Sequence, residues 1–232
     1  MKNLALVIAV LAFFVLGCGL FNRLANSSTN VATNDGSTTS TKPTSGETTS
    51  PSGDPRADVI AASKKFLDLP QFSAKMDGES SKQNMHMRLD YAAPDRFHMM
   101  YTDESGATKN EMIMIGKDMY MQFGGRWQKV PNAGQAMPNL RQYFDEKGLE
   151  SLKDVKYEGG DTLDGKPMNL YSYQNSQVNS NSPYPFTSKI WVGADDGLPH
   201  KIEVTYEQGE LKSMNIVYDF NTPISIEPPV TK

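Results

Sequence analysis

From Asn84 to Tyr91 polar and apolar residues alternate at every position, with Met85, Met87, Leu89 and Tyr91 set against Asn84, His86, Arg88 and Asp90. Successive side chains point to opposite faces only in a β-strand, so this segment reads as a strand with one buried and one wet face. Phe72, Ala74 and Met76 show the same period just before it. Further runs follow at close spacing: Phe97 to Tyr101, Glu111 to Ile115, Met119 to Phe123, Trp127 to Val130, Val155 to Glu158, Met168 to Tyr173, Ile190 to Val192, Ile202 to Tyr206 and Met214 to Tyr218. Asp164-Gly165, Asp196-Gly197 and Gln208-Gly209 each sit between two such runs, as tight hairpins require. The expected fold is therefore α+β but mainly antiparallel β, with about ten or eleven strands.

Two helices are expected beside the strands. The first opens at Pro55, with Asp58 near its positive end, Val59, Ile60, Ser63, Phe66 and Leu67 as a mostly apolar stripe, and Pro70 as its stop. The second is predicted around Pro138 to Leu152, on Leu140, Tyr143, Phe144 and Leu149. Gln174 to Pro185, rich in Asn and Ser, reads as a long loop and a possible contact surface.

The segment before the first helix belongs to export and not to the fold. Lys2 precedes 13 unbroken apolar residues, Leu4 to Leu16, the length of a signal-peptide core and short of the roughly 20 that a membrane span needs. The run ends in Val15-Leu16-Gly17-Cys18, which resembles a bacterial lipobox. Residues 1–17 are accordingly expected to be a lipoprotein signal peptide. Cys18, the single cysteine, is expected to carry diacylglycerol and palmitate as a membrane anchor. An uncleaved membrane anchor is the competing reading, and both place the remainder outside the cytoplasm, on the periplasmic or extracellular side. Gly19 in place of aspartate at the next position favours the outer membrane by the same resemblance. From Asn26 to Asp54, 15 of 29 residues are Ser or Thr, too little apolar surface to offset the entropy of ordering. Residues 18–54 thus read as the lipidated cysteine and a disordered tether, and residues 55–232 as one domain.

Methionine is the unusual component. Eight of the 13 methionines fall between Met85 and Met121, mostly at alternate strand positions. If Tyr91 pairs with Phe97, Leu89 faces Met99 and Met87 faces Tyr101 on one side of the sheet. Methionine is flexible and polarisable and suits surfaces that adapt to varied apolar partners. The candidate cavity lining is Met85, Met87, Leu89, Phe97, Met99, Tyr101, Met112, Met114, Met119 and Met121, with an ordinary filled core as the competing reading. Met112 to Ile115 is apolar on both faces, so a cover is expected on each, one of them a helix that moves.

No catalytic constellation is legible, so no enzyme is expected. His86, His98 and His200 lack metal-ligand spacing, and no phosphate loop, dinucleotide fingerprint or nucleophile elbow occurs. Asp195-Asp196 reads as part of a turn. No metal or other cofactor is implied. With 23 basic against 27 acidic residues, the net charge of -4 argues against a nucleic-acid partner.

Several short motifs combine into a wider likeness: Ala93-Pro94-Asp95-Arg96-Phe97, Met114-Ile115-Gly116, and Gly124-Gly125-Arg126-Trp127-Gln128-Lys129-Val130-Pro131. Leu163-Asp164-Gly165-Lys166, Ile190-Trp191-Val192, Gly197-Leu198-Pro199, Asp219-Phe220-Asn221-Thr222-Pro223 and Ile226-Glu227-Pro228-Pro229 complete it. Together these resemble the LolA/LppX-like superfamily of periplasmic and cell-surface lipid carriers. The resemblance implies an unclosed, strongly curved, barrel-like antiparallel sheet with helices on its concave side. It also implies an apolar cavity between them for lipid or lipoprotein acyl chains, in a role in envelope lipid or lipoprotein trafficking. The anchored N-terminus is similar to that of the mycobacterial LppX-like and LprG-like lipoproteins, so a tethered binding or acceptor protein fits better than a soluble shuttle. An envelope interaction or sensing protein with a filled core and no lipid ligand is the alternative.

Overall fold

A computed structural model describes residues 51–133, 152–175 and 185–231. The expected signal peptide, Cys18 and most of the tether lie outside these residues. Chain order runs α1 (Pro55–Leu67), then β1 (Gln71–Ser80), β2 (Met85–Ala92), β3 (Arg96–Thr102), β4 (Thr108–Ile115), β5 (Asp118–Phe123) and β6 (Arg126–Val130). It continues with β7 (Leu152–Leu163), β8 (Lys166–Asn175), β9 (Phe186–Gly193), β10 (Pro199–Tyr206) and β11 (Leu211–Asp219). Among the described residues no helix is long and apolar enough to cross a membrane.

The 11 strands form one antiparallel sheet in the order β6-β5-β4-β3-β2-β1-β11-β10-β9-β8-β7. Every neighbour is a chain neighbour except the β1–β11 pair, which joins the first and last strands at the centre. β6 and β7 are the two free edges, so the sheet is unclosed. β7 is interrupted twice, by register shifts between Lys153 and Lys156 and between Tyr157 and Gly159. The β7–β8 turn takes positive φ at both Asp164 (50°) and Gly165 (77°), the backbone that a two-residue hairpin demands.

α1 starts where capping chemistry places it. The Asp54 carboxylate accepts from the backbone N–H groups of Arg56 (3.0 Å) and Ala57 (3.1 Å), and Pro55 occupies the first turn, where no N–H is needed. Its buried stripe is Val59, Ala62, Ser63 and Phe66, with the Ser63 hydroxyl donating to the Val59 carbonyl at 2.9 Å. Ile60 and Leu67, expected on the stripe, flank it half-buried, because each is rotated about 100° from Val59 or Phe66. The helix ends against the β9–β10 turn, where the Lys65 ammonium donates to the Asp196 carbonyl.

The second expected helix, Pro138 to Leu152, lies outside the described residues apart from Leu152. That residue begins β7 and is not helical. Of the expected loop Gln174 to Pro185, Gln174 and Asn175 complete β8 and Pro185 precedes β9, the rest lying outside the described residues.

Both faces of β4 are buried, and on the face turned away from α1 the cover is the segment after β11. Ile113 points away from α1 and is buried with Tyr120 and Ile226, with Ile224, Ile115, Ala92 and Trp127 packed around them. Ile224 and Ile226 belong to the extended segment after β11, which crosses beneath the sheet and is fastened along the way. The Gln71 amide bonds the Thr222 carbonyl and the Ile224 N–H (both 3.3 Å), and the Arg96 guanidinium donates to the Ile226 carbonyl (2.5 Å). Ile226 is 4% exposed. Ile226→Ala should cost about 2–4 kcal/mol of stability in urea unfolding, and a loss below about 0.5 kcal/mol would show that the segment adds nothing to the fold.

Ion pairs stitch the fold, two of the histidine pairs on the polar side of the sheet and the third at the β9–β10 turn beside α1. All three histidines pair with carboxylates: His86 with Asp77 (2.7 Å), His98 with Glu111 (3.0 Å) and His200 with Asp196 (2.8 Å). Burial works to raise the Asp77 and Asp196 carboxyls, yet bonds from His86 and Lys75 in one case and from His200 and the Leu198 N–H in the other hold both below the usual range. A carboxyl depressed in the folded state contributes stability above its unfolded pKa of about 3.8, and loses it as pH falls through the lower folded value. Stability should therefore fall on acidification below about pH 4. Asp196→Asn should flatten that acid limb in a thermal melt series, and an unchanged limb would show that the pair does not contribute.

Candidate functional site

The register resolves the α1-bearing face into rows of side chains running across the strands. One row reads Val130, Met119, Met114, Phe97, Tyr91, Phe72, from β6 to β1. The next reads Gln128, Met121, Met112, Met99, Leu89, Ala74, Tyr218. A third crosses nine strands as Asn110, Tyr101, Met87, Met76, Ile216, Ile202, Ile190, Tyr171, Tyr157. The fourth is Met85, Gly78, Met214, Val204, Ser188, Tyr173. No charged side chain stands in any of the four. A face of this size without a charge can exclude water, because no ion in it has to stay hydrated.

All ten residues expected to line a cavity stand in these rows. The pairings Met87 with Tyr101, Leu89 with Met99 and Tyr91 with Phe97 are those the alternation predicts. Met87, Leu89, Phe97, Met99, Met112, Met114 and Met119 are 3–8% exposed. Met85, Tyr101 and Met121 are half-buried and stand at or near the ends of their rows. Burial pushes the Tyr101 phenol above its ordinary pKa, as an apolar setting requires.

The face divides by chemistry. The β2–β5 side is sulfur-rich, whereas the side beneath α1 is aromatic. Phe66 of α1 lies 4.7 Å from Phe72 and 5.0 Å from Tyr218 between ring centroids. The contacts continue from Phe72 to Tyr91 (5.2 Å) and from Tyr91 to Phe97 (5.0 Å), carrying the helix's packing into the methionine rows. At the other end of α1, the Tyr171 hydroxyl donates to the Asp58 carboxylate at 3.0 Å. Desolvation, followed by Asp58, drives that phenol well above its usual range.

The aromatic side was not anticipated as part of a site. Tyr171, Tyr173, Ile190, Ile202, Val204, Ile216 and Tyr218 do alternate in the sequence, but they lack the density of one residue type that draws attention to β2–β5. A polar depression of about 440 Å³ also lies off the methionine rows, at the ends of β2 and β3, lined by Gln83, Asn84, His86, Thr102, Asp103, Glu104 and Ser105. Its Asp103 carboxyl is held far below the ordinary range, first by Lys109 and then by the Ser105 hydroxyl. Two of its residues, His86 and Thr102, alternate out of phase with the rows and so face away from α1.

Among the described residues no group of three His, Cys, Asp or Glu side chains is placed to hold a metal ion. Asp195 and Asp196 stand in the β9–β10 turn, where the Asp196 carboxylate accepts from the Leu198 N–H at 2.9 Å and pairs with His200.

No family model matches the sequence, and no curated protein sequence matches it. Solved structures do match. The Mycobacterium tuberculosis lipoprotein LppX aligns with 76% of this chain and 100% of its own at 11% identity, with a TM-score of 0.58. LprF from Mycobacterium bovis aligns with 78% of this chain and 99% of its own at 14% identity, with a TM-score of 0.56. The LolA superfamily protein NE2245 from Nitrosomonas europaea aligns with 70% of this chain and 91% of its own at 12% identity, with a TM-score of 0.29. An unclosed 11-stranded antiparallel sheet bearing a helix on its apolar face, matched along nearly the whole of LppX and LprF, is an LppX-like fold.

Proposed function

We propose that this chain is a membrane-anchored envelope lipoprotein that binds lipid or lipoprotein acyl chains against its methionine rows. The observation that carries this reading is the charge-free face itself, four rows wide, with methionine concentrated over β2 to β5. Methionine side chains exchange rotamers at low cost and re-pack around ligands of varied shape, which a face of Val and Ile does not do. The fold shared with the mycobacterial lipoprotein LppX and with LprF supports the reading, and so does the order of signal peptide, Cys18 and tether in the sequence. In this account Cys18 holds the protein at the membrane, residues 18–54 are the leash, and residues 55–232 are the binding domain, without catalysis.

Ligand entry must displace the methionines, which are nearly closed to water at rest. That closure favours a second reading, in which the face is a filled core and the protein acts by binding another envelope protein. Lipid analysis separates the two. Protein purified from its own membrane should carry close to one extractable acyl species per chain beyond those on Cys18. A chain that stays empty after incubation with envelope lipids would favour the filled core.

A variant test belongs at the ends of the rows. A carboxylate at buried Met99 would unfold the domain whatever its function, since an unpaired buried charge costs several kcal/mol. Met85 and Met121 are half-buried, so Met85→Lys with Met121→Lys keeps the fold and places two charges beside the face. Acyl-chain uptake by this variant should drop about ten-fold or more; uptake equal to wild type by the folded variant would place any ligand elsewhere.

A further inference from the structure

In the fourth row an apolar sequence of side chains gives way to hydroxyls. Ser188 is 1% exposed, and its Oγ has no hydrogen-bond partner. Tyr173 is its direct cross-strand neighbour on β8 and Val204 its neighbour on β10. Tyr206, paired with Phe186, stands diagonal to it on the same face. Burial raises the Tyr173 phenol, and the nearby Ser188 hydroxyl opposes that rise, yet no hydrogen bond of acceptable geometry joins the two.

A buried hydroxyl without a partner costs about 1–3 kcal/mol, and native structures leave few of them. Here it lies in a row that carries no charged side chain. A ligand group held at this place must be uncharged, because no cation stands in the row to balance an anion, and a neutral acceptor takes the proton that the Ser188 hydroxyl offers to no other partner. Desolvation raises the Tyr173 and Tyr206 phenols, which marks the surroundings as hostile to charge of either sign. A phosphate or a free carboxylate is therefore the wrong occupant, and a carbonyl is the right one. From Ser188 on β9 to Met85 on β2 is four strand spacings, roughly 19 Å along the sheet, a distance comparable with a long acyl chain.

We propose that Ser188, with Tyr173 beside it and Tyr206 diagonal to it, is a polar subsite that receives the ester carbonyl of an acyl-ester lipid whose chains lie along the methionine rows. The subsite rests on the lipid-binding reading and adds to it a ligand class and an orientation, with the ester under β8–β10 and the chain ends toward β2–β5.

The test compares two ligands of one shape, dipalmitoylglycerol and its ether counterpart dihexadecylglycerol, which lacks only the carbonyls. Both are radiolabelled and titrated against the full chain. Wild type should prefer the ester by about ten-fold. Ser188→Ala should abolish the preference by weakening the ester alone, and Tyr173→Phe should reduce it. Ser188→Ala removes an oxygen that bonds nothing, so its melting temperature should not fall, and a folded variant is secured for the comparison. Equal binding of ester and ether by wild type, or a preference that survives in Ser188→Ala, would overturn the subsite and leave the lipid reading standing. Failure of both ligands to bind wild type would overturn the lipid reading, and the subsite with it.

Discussion

The ladder between β1 and β11 is the constraint on which the rest depends. Every other pairing is a local hairpin or an edge-to-edge passage in chain order, whereas this one brings residues more than a hundred positions apart into register. Ala74 sits near the start of the ladder, fully buried, with Tyr218 on one side and Leu89 on the other. A small side chain there leaves room for the Phe66, Phe72 and Tyr218 rings above it, so the helix docks where the two halves of the sheet meet. Slipping the ladder by one residue would turn Met76 and Ile216 outward and break the nine-strand row.

Much of this was legible because alternation is a local property. Each strand from β1 to β11 overlaps a segment of period two, and the Leu89–Met99 register follows from placing Tyr91 against Phe97. What the sequence could not supply was long-range. Ile113 has an apolar outward face, and the pattern demands a cover, but only the folded chain brings Ile224 and Ile226 to it from more than a hundred residues away. The same holds for the aromatic half of the face. Tyr173 and Ser188 are ordinary strand residues until β8 and β9 are paired, and only the pairing leaves a hydroxyl buried among apolar rows.

The two halves of the face differ in how they hold their shape. Under α1, rings pack on rings and phenols are anchored, as Tyr171 is by Asp58. Over β2 to β5, the packing is made by unbranched thioethers. Rings lock an arrangement with few rotatable bonds, whereas methionine fills a volume in many ways at nearly equal energy. A fixed half beside an adaptable half allows one end of an occupant to be positioned while the other is merely accommodated.

The open ends of the sheet carry a consequence for the protein in a crowded compartment. An unpaired strand edge is a template on which other chains can nucleate β-aggregation. β7 is long enough to be such a template, but its two register shifts, with Asp154 and Gly159 at positive φ, interrupt the straight row of donors and acceptors that templating needs. β6 is only five residues and carries Arg126 and Lys129, which disfavour docking by charge. An unclosed sheet gains access to its apolar face at the risk of self-association, and here a broken β7 and a short, charged β6 both oppose edge-to-edge pairing.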